Sequence, residues 1–325
     1  MFKKFLKIIS LTFISICALE VSAWVIAANV VKNRYSAIYH PFEYTLELRH
    51  VLKFDEWYHM VSPRVFRRAA GLQNGGRPNI IFGCSFAYGS GLSDNQTLSY
   101  KLAKIMHVPV FNRAIGGAGV QHMLWQLRNE PFLDTIKNPK YVIYVWIDGQ
   151  IHRLDMYGWL DDFMYNKNVI SQYLKYKEVD GHLVEVHDLF PILRRTALAN
   201  IIGVWKKDFE RDLFYEDIKF RESRLSLLKL HFMESKKLIN KKWPMAKIII
   251  LDYEYHKYKT IDESPYADFW KQIQRDGFIY INTQWDLGVT SSEEKYHLSN
   301  SDPHPNEHAW DVIVPQLVKK LGEMK

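Results

Sequence analysis

Two short segments near opposite ends of the chain contain the residue types that nucleophilic catalysis needs. In the first, an apolar run from Ile80 to Phe82 stops at Gly83, and Ser85 follows two residues later. This pattern predicts a buried strand that ends in a tight turn and presents Ser85 beyond the edge of a sheet. The second segment contains Asp302 and His304, each followed by a proline. A serine hydroxyl becomes a nucleophile when a histidine takes its proton and an acid orients that histidine, so the two segments together predict acyl-transfer chemistry.

The prolines at 303 and 305 stiffen the second segment. Each proline biases the residue before it toward extended backbone geometry, so Asp302 and His304 are expected in a strand-like stretch. The carboxylate of Asp302 can then approach the imidazole two residues later. We predict that His304 is the general base and that Asp302 fixes its tautomer. Taken alone, the segment is better explained as a polar loop that caps the last helix, but its pairing with the Ser85 turn favours the catalytic interpretation.

A tetrahedral oxyanion needs hydrogen-bond donors aimed at it. Residues 112–119 form a glycine-rich turn after a predicted strand, and glycines at 116 and 117 let the backbone approach a substrate closely. We predict the backbone N–H groups of Ser85 and Gly117 as the donors. A plain tight turn is the alternative explanation of these glycines.

The order of these segments resembles that of the SGNH, or GDSL, hydrolase family. The first block of that family is Gly-Asp-Ser with a later glycine, and this chain has Gly83-Cys84-Ser85 with Gly89. The second block is an asparagine with an oxyanion glycine five residues on, which corresponds here to Asn112 and Gly117. The last block, an aspartate and a histidine before the final helix, corresponds to residues 302–304. The resemblance covers residues 79 to about 320.

The resemblance implies a three-layer, flavodoxin-like α/β fold and a serine esterase or O-acyltransferase that works through a covalent acyl-Ser85 intermediate. The acyl esters would be those of cell-envelope or exported carbohydrate, and no cofactor or metal is implied. Cys84 stands where the family has aspartate, and Ser301 stands where the aspartate of the usual Asp-x-x-His block would lie. These departures keep a second hypothesis open, a non-catalytic module of the same fold that binds glycan or an envelope partner.

The third block of the family, Gly-x-Asn-Asp, has no clear counterpart. The corresponding stretch contains Asp148, Gln150 and Arg153. Gln150 is the nearest substitute for the family's oxyanion asparagine, with Asp148 as a rival, and a loop residue facing solvent is the alternative. Arg153 is a candidate for holding a substrate carboxylate, although a structural ion pair is the commoner role for such an arginine.

The order of predicted elements favours a parallel sheet covered by helices on both faces. In such sheets the loops that follow strands gather at the carboxyl edge, so the predicted site residues are expected on one rim. The predicted strands are 80–82, 108–111, 141–147, 247–251 and 278–281, and the predicted helices are 94–106, 121–128, 222–239, 266–273 and 305–321. Residues 154–220 interrupt the alternation and are expected to form a partly helical insertion or lid within a hydrolase domain of residues 79–325.

The N-terminal residues have the pattern of a membrane segment. Ile8 to Val31 is an almost wholly apolar stretch of 24 residues that contains one charge, Glu20, and follows three lysines. This length spans a bilayer as a helix, and we favour an uncleaved anchor in residues 1–34 that leaves the rest outside the cytoplasm, on the periplasmic side of the inner membrane. Secretion after cleavage near Ala23 is the alternative. Residues 35–78 are interpreted as a lead-in segment.

Charge and cysteine content exclude several classes of function. The net charge is +7, but five basic residues and one acidic residue give the first 34 residues +4, which leaves +3 dispersed over the remainder. This distribution argues against nucleic-acid binding. The two cysteines, Cys17 and Cys84, lie in unrelated segments and predict neither a disulfide framework nor a metal cluster.

Overall fold

The computed structural model describes residues 69–154, 176–185, 216–253, 260–264, 266–290, 293–300 and 302–324, together with the isolated positions 15, 18, 22 and 214. Nine strands lie in this part of the chain: β1 (Asn79–Gly83), β2 (Val110–Asn112), β3 (Tyr141–Trp146), β4 (Tyr176–Val179), β5 (His182–Glu185), β6 (Lys247–Asp252), β7 (Ile279–Asn282), β8 (His297–Ser299) and β9 (Asp302–Pro305). The α-helices in it are α1 (Ser85–Tyr88), α2 (Leu98–Met106), α3 (Val120–Asn129), α4 (Phe132–Thr135), α5 (Ile218–Lys242), α6 (Ala267–Arg275) and α7 (Glu307–Glu323).

The centre of the fold is a five-stranded sheet in the order β2-β1-β3-β6-β7, with every neighbouring pair parallel. Strand β3 is buried along its whole length, as expected for a parallel strand with both faces covered. Alternate residues of the strands point to opposite faces. Ile81 and Ile143 pack on one side, and Ile80 and Val142 pack on the other. The predicted α/β class with a parallel sheet is confirmed.

Helices cover both faces and complete three layers. The cluster on one face takes buried residues from α1, α2 and α7, and the cluster on the other takes them from α3, α5 and α6. Three aromatic side chains of the second cluster, Trp146, Phe232 and Trp270, contact one another with ring centroids 5.4 to 6.4 Å apart. Aromatic burial on this scale contributes strongly to the hydrophobic free energy of folding. These three rings therefore belong to the hydrophobic core.

Two predicted helix starts need correction. The sequence predicts helix α2 from residue 94, but it begins at Leu98, and the hydroxyl of Thr97 accepts a hydrogen bond from the Tyr100 amide. The preceding residues form a separate 3₁₀ turn. The terminal helix begins at Glu307 instead of Pro305, because the side chain of Asn306 caps it by accepting from the Ala309 amide at 2.9 Å.

Two antiparallel hairpins lie outside the main sheet. The β4–β5 hairpin falls within the predicted insertion at residues 154–220, and Tyr176 and Leu183 of this hairpin pack with Leu124 of α3. The rest of that insertion lies almost entirely outside the described residues. So do the predicted N-terminal segment 1–34 and residues 35–68 of the predicted lead-in segment 35–78. No helix among the described residues has the length and apolarity that crossing a membrane requires.

Candidate active site

Ser85 is positioned by a sharp turn directly after β1. Gly83 has a φ of +144°, and a Cβ atom on it would lie 2.9 Å from both the Cβ of Ala87 and the carbonyl oxygen of Val145. Only glycine fits this position without strain, and the turn allows α1 to begin at Ser85 immediately after the strand. The helix ends after one turn at Gly89, which is left-handed and donates its N–H to the carbonyl of Ser85.

The β8–β9 hairpin brings the C-terminal segment to this turn. A Cβ atom on Gly91 would lie 2.4 Å from the Leu298 side chain, so strand β8 packs directly against the loop that follows the serine. Strand β9 pairs with β8 and contains Asp302 and His304. The extended geometry expected from the flanking prolines is therefore present.

A chain of hydrogen bonds joins the three predicted catalytic side chains. His304 Nε2 lies 2.7 Å from Ser85 Oγ, and His304 Nδ1 lies 2.5 Å from Asp302 Oδ1. The same Asp302 oxygen accepts the backbone N–H of His304 at 3.0 Å. All three side chains are half-buried. In this arrangement Nδ1–H donates to the carboxylate, which leaves the lone pair of Nε2 directed at the serine hydroxyl.

The carboxyl group of Asp302 stays ionised in this setting. Partial burial alone would raise its pKa, but the hydrogen bonds and positive potential from His304 outweigh burial and lower the pKa of Asp302 below its usual range. An ionised carboxylate next to Nδ1 stabilises the imidazolium that forms when His304 accepts a proton.

An aromatic contact restricts the histidine ring from a second direction. The ring of Phe86 lies 4.8 Å from the His304 ring between centroids, and Phe86 in turn meets Tyr253 edge-on at 5.6 Å. Phe86 and Tyr253 are both buried, so the aromatic side chains that restrict the His304 ring belong to the core and not to the surface. This contact was not predicted from the sequence. The position of Phe86 directly after the serine is a signal for it, but Tyr253 is distant along the chain and only the fold brings it near.

The glycine-rich turn of residues 112–119 lies beside the serine. The Ile115 N–H donates to the carbonyl of Gly83 at 3.1 Å, and the Asn112 side chain donates to the carbonyl of Ala87 at 2.8 Å. These bonds fix the turn to both ends of the serine loop. Gly117 is left-handed, with a φ of +73°. Within the described chain, the backbone N–H groups of Ser85 and Gly117 donate to no backbone carbonyl. Their role as oxyanion donors stays a prediction.

Gln150 is held against strand β3. Its side chain is 0% exposed, its Oε1 accepts from the Tyr144 hydroxyl at 2.5 Å, and its Nε2 donates to the Val145 carbonyl at 3.1 Å. The alternative of a solvent-facing loop residue is therefore wrong. One hydrogen remains on Nε2, and donation to an oxyanion stays a prediction for Gln150. Its rival Asp148 is also buried.

Arg153 contacts the glycine-rich turn. Its Nη1 donates to the Ala118 carbonyl at 3.1 Å, and its own carbonyl accepts from Gln121 Nε2 at 2.6 Å. No carboxylate of the described residues forms an ion pair with it, so the structural ion pair considered for Arg153 is not found there.

Comparisons with known proteins find similar structures at low sequence identity. A lipolytic protein of the G-D-S-L family from Desulfitobacterium hafniense is 9% identical, with a TM-score of 0.40, and the match covers 75% of this chain and 99% of that one. An acetyl xylan esterase from the rumen bacterium Butyrivibrio proteoclasticus is 11% identical, with a TM-score of 0.42 and coverage of 77% and 64%. A salicylyl-acyltransferase from a tetracycline biosynthetic pathway is 12% identical, with a TM-score of 0.39 and coverage of 77% and 56%. No protein-family profile matches the chain, and a search of curated proteins finds no match.

Proposed function

We propose that this chain is a serine-dependent esterase or O-acyltransferase in which Ser85 is the nucleophile, His304 the general base and Asp302 the residue that orients it. The observation that carries the proposal is the continuous chain of hydrogen bonds from Asp302 through His304 to Ser85, at 2.5 and 2.7 Å. Both distances are within the reach that proton transfer requires. The resemblance of the sequence blocks to SGNH hydrolases supports the same assignment.

In the first half of the reaction, His304 Nε2 takes the proton of Ser85 Oγ as the oxygen attacks the ester carbonyl carbon. The carbonyl oxygen becomes an oxyanion, which the backbone N–H groups of Ser85 and Gly117 stabilise. Collapse of the tetrahedral intermediate breaks the bond to the alcohol oxygen. The imidazolium of His304 returns its proton to that oxygen, so the alcohol leaves neutral and the acyl group remains on Ser85.

In the second half, the acceptor hydroxyl takes the place of the departed alcohol. His304 removes its proton, and the acceptor oxygen attacks the acyl-serine carbonyl. The bond between the acyl carbon and Ser85 Oγ then breaks, and the imidazolium of His304 returns the proton to that oxygen. Water as acceptor gives a carboxylic acid and an esterase, whereas a sugar hydroxyl gives a new ester and an acyltransferase. The residues named here perform either reaction, and the choice depends on which acceptor occupies the site.

A fluorophosphonate probe tests the nucleophile directly. The probe forms a bond between phosphorus and an activated serine oxygen and releases fluoride, so we expect wild-type protein to be labelled and Ser85→Ala to be unlabelled. Ser223→Ala, a change of an exposed helical serine far along the chain, is the matched control and should be labelled like wild type. An unlabelled wild-type protein would support the non-catalytic, glycan-binding module instead.

The proposal includes a substrate class and a location. We propose acyl esters of cell-envelope or exported carbohydrate as substrates, and a membrane anchor in residues 1–34 that holds the domain on the periplasmic side, with cleavage and secretion as the alternative. The apolar stretch behind three lysines supports the location. Protease accessibility of the domain in intact spheroplasts tests it, since a cytoplasmic domain would be protected. Release of acetate from acetylated polysaccharides, compared with Ser85→Ala, tests the substrate class.

A further inference from the structure

Arg153 occupies a place next to the candidate oxyanion turn that its structural contacts do not fully explain. Nη1 of Arg153 donates to the carbonyl of Ala118, the residue that follows Gly117. The guanidinium therefore contacts the turn that contains Gly117, one of the two proposed oxyanion donors. The residue is only partly buried, so its remaining polar surface faces outward.

Among the described residues, no carboxylate neutralises the positive charge of this guanidinium. A guanidinium has five N–H donors, and the Ala118 carbonyl uses one of them. Two buried or partly buried arginines in the described chain have carboxylate partners at 3.4 Å: Arg113 with Glu130, and Arg128 with Glu234. No such partner is found for Arg153 among the residues that the structure describes. The guanidinium thus has free donors in the planar arrangement that fits a carboxylate.

A second feature adds positive potential at the same place. Helix α3 begins at Val120, directly after the turn, and runs for ten residues. Its first turn contains no acidic side chain, so the partial positive charge of the helix N-terminus is not offset locally. Arg153 contacts Ala118, and the helix begins two residues later, so both place positive potential near this turn and favour a negatively charged group there.

We propose that Arg153 is a specificity residue that binds an anionic group, a carboxylate in the simplest case, carried by the ester substrate. The inference rests on the proposed function, because the substrate is the ester that Ser85 attacks. The anion belongs either to the acyl part or to the alcohol part of the ester, and the recognition chemistry is the same for both. Esters of acidic sugars and half-esters of dicarboxylic acids are the substrate classes that carry such a group.

Matched pairs of esters test this inference with the full-length protein. On the acyl side, 4-nitrophenyl hydrogen glutarate is compared with its neutral methyl ester, and on the alcohol side 4-acetoxybenzoate is compared with methyl 4-acetoxybenzoate. We expect wild-type kcat/KM to favour the anionic member of one pair. Arg153→Gln should lower that preference roughly 10- to 100-fold, the range for losing a charge-assisted hydrogen bond. Arg153→Lys, which keeps the charge without the planar fork, should give an intermediate preference.

The controls distinguish failure of the Arg153 anion site from failure of the proposed esterase or acyltransferase function. Arg275→Gln removes the same charge from an exposed position on α6 and should keep the wild-type preference. In wild type, the preference should weaken as NaCl rises from about 20 to about 500 mM, because salt screens exposed charges. Because the salt measurement uses only the wild-type protein, it does not depend on the folding of any variant.

A wild-type enzyme that hydrolyses both members of each pair equally, or an Arg153→Gln variant that loses both activities in proportion, overturns the anion site alone. Activity that survives in Ser85→Ala, or no activity in wild type, overturns the proposed function and the anion site with it.

Discussion

His304 Nε2 lies 2.7 Å from Ser85 Oγ although 219 positions separate the two residues along the chain. The serine comes from the turn after β1, near one end of the domain, and the histidine comes from β9, just before the last helix. A contact of this sequence separation depends on the whole sheet, because β1 and the C-terminal hairpin meet only when the intervening layers are in place. The dyad is therefore a property of the complete fold.

The orienting role of Asp302 predicts a large effect on turnover with a small effect on folding. Asp302→Asn places an amide next to His304 Nδ1, which favours the wrong tautomer, and kcat for 4-nitrophenyl acetate is expected to fall about 10³- to 10⁴-fold. Steady-state kinetics and a thermal melt of the same sample provide the measurement. Asp311→Asn, an exposed position on α7, is the matched control and should retain wild-type kcat. A variant at 302 with wild-type kcat would show that the Asp302–His304 contact is not used in catalysis.

The contact between Phe86 and His304 predicts a smaller loss of activity. Phe86→Leu removes the ring that lies 4.8 Å from the imidazole and leaves the histidine freer to rotate away from the serine. Since modest misplacement of a catalytic group has a measurable effect on rate, we expect kcat to fall about 10-fold.

The control for Phe86 is a second aromatic pair outside the site. Phe111→Leu on β2 removes a ring that contacts Phe132 at 5.7 Å, and it should leave kcat unchanged. Equal kcat values for wild type and Phe86→Leu would mean that Asp302 alone is sufficient to hold the imidazole.

Much of the sheet could be predicted from apolar runs and their spacing. Strands β1, β3 and β6 are short, dense apolar segments between turn residues, and each lies within one residue of its predicted bounds. Helix starts were harder to predict. A 3₁₀ turn in which Ser93 and Gln96 form reciprocal hydrogen bonds precedes α2, and such a turn imitates a helix cap in the sequence. The true cap is Thr97.

In the candidate site too, some residues could be predicted from the sequence pattern, whereas other contacts depend on how the elements pack. Ser85, Asp302 and His304 were found from residue type and order, because a nucleophile, a base and an acid form a recognisable set. The surroundings of Gln150 could not be found in this way. The direction of its carboxamide depends on the Tyr144 hydroxyl, and that partner is set by how β3 and the following 3₁₀ turn pack together.

The conformation at Gly83 predicts a loss of stability on adding a single methyl group. Gly83→Ala would place Cβ 2.9 Å from Ala87 and from the Val145 carbonyl at a φ of +144°, so strain and steric overlap add together. We expect the free energy of unfolding to fall by about 1–3 kcal/mol, measured by urea denaturation.

A glycine in an ordinary helical position is the comparison. Gly322→Ala in α7 has nothing within 4 Å of the new Cβ, and it should change the free energy of unfolding by less than about 1 kcal/mol. Equal denaturation midpoints for both variants would show that the turn after β1 relaxes to accept a side chain.

A buried carboxyl group at the end of β6 predicts how stability changes with pH. Burial, and then the nearby carboxyl of Asp148, raise the pKa of Asp252 to about 8 against the opposing hydrogen bonds from Tyr280 and Asn282. The pKa in the unfolded chain is about 3.9, so the folded state favours the protonated form. The stability that the folded protein gains from holding Asp252 protonated is fully present below about pH 4 and is lost as the pH rises through about 8. Asp252→Asn cannot ionise but keeps an acceptor for Tyr280, and its stability should lack this decline.

Urea midpoints at about pH 5, 6.5 and 8 measure the decline that linkage predicts. Wild type should lose stability across this range more steeply than Asp252→Asn, and the difference between the two proteins should have changed most by the alkaline end, where the raised pKa of the wild-type carboxyl opposes its ionisation. Asp268→Asn, an exposed acidic position in the first turn of α6, serves as the control and should follow the wild-type slope. Parallel slopes for wild type and Asp252→Asn would mean that Asp252 is already ionised in the folded protein at pH 5, with its buried charge stabilised by Tyr280 and Asn282.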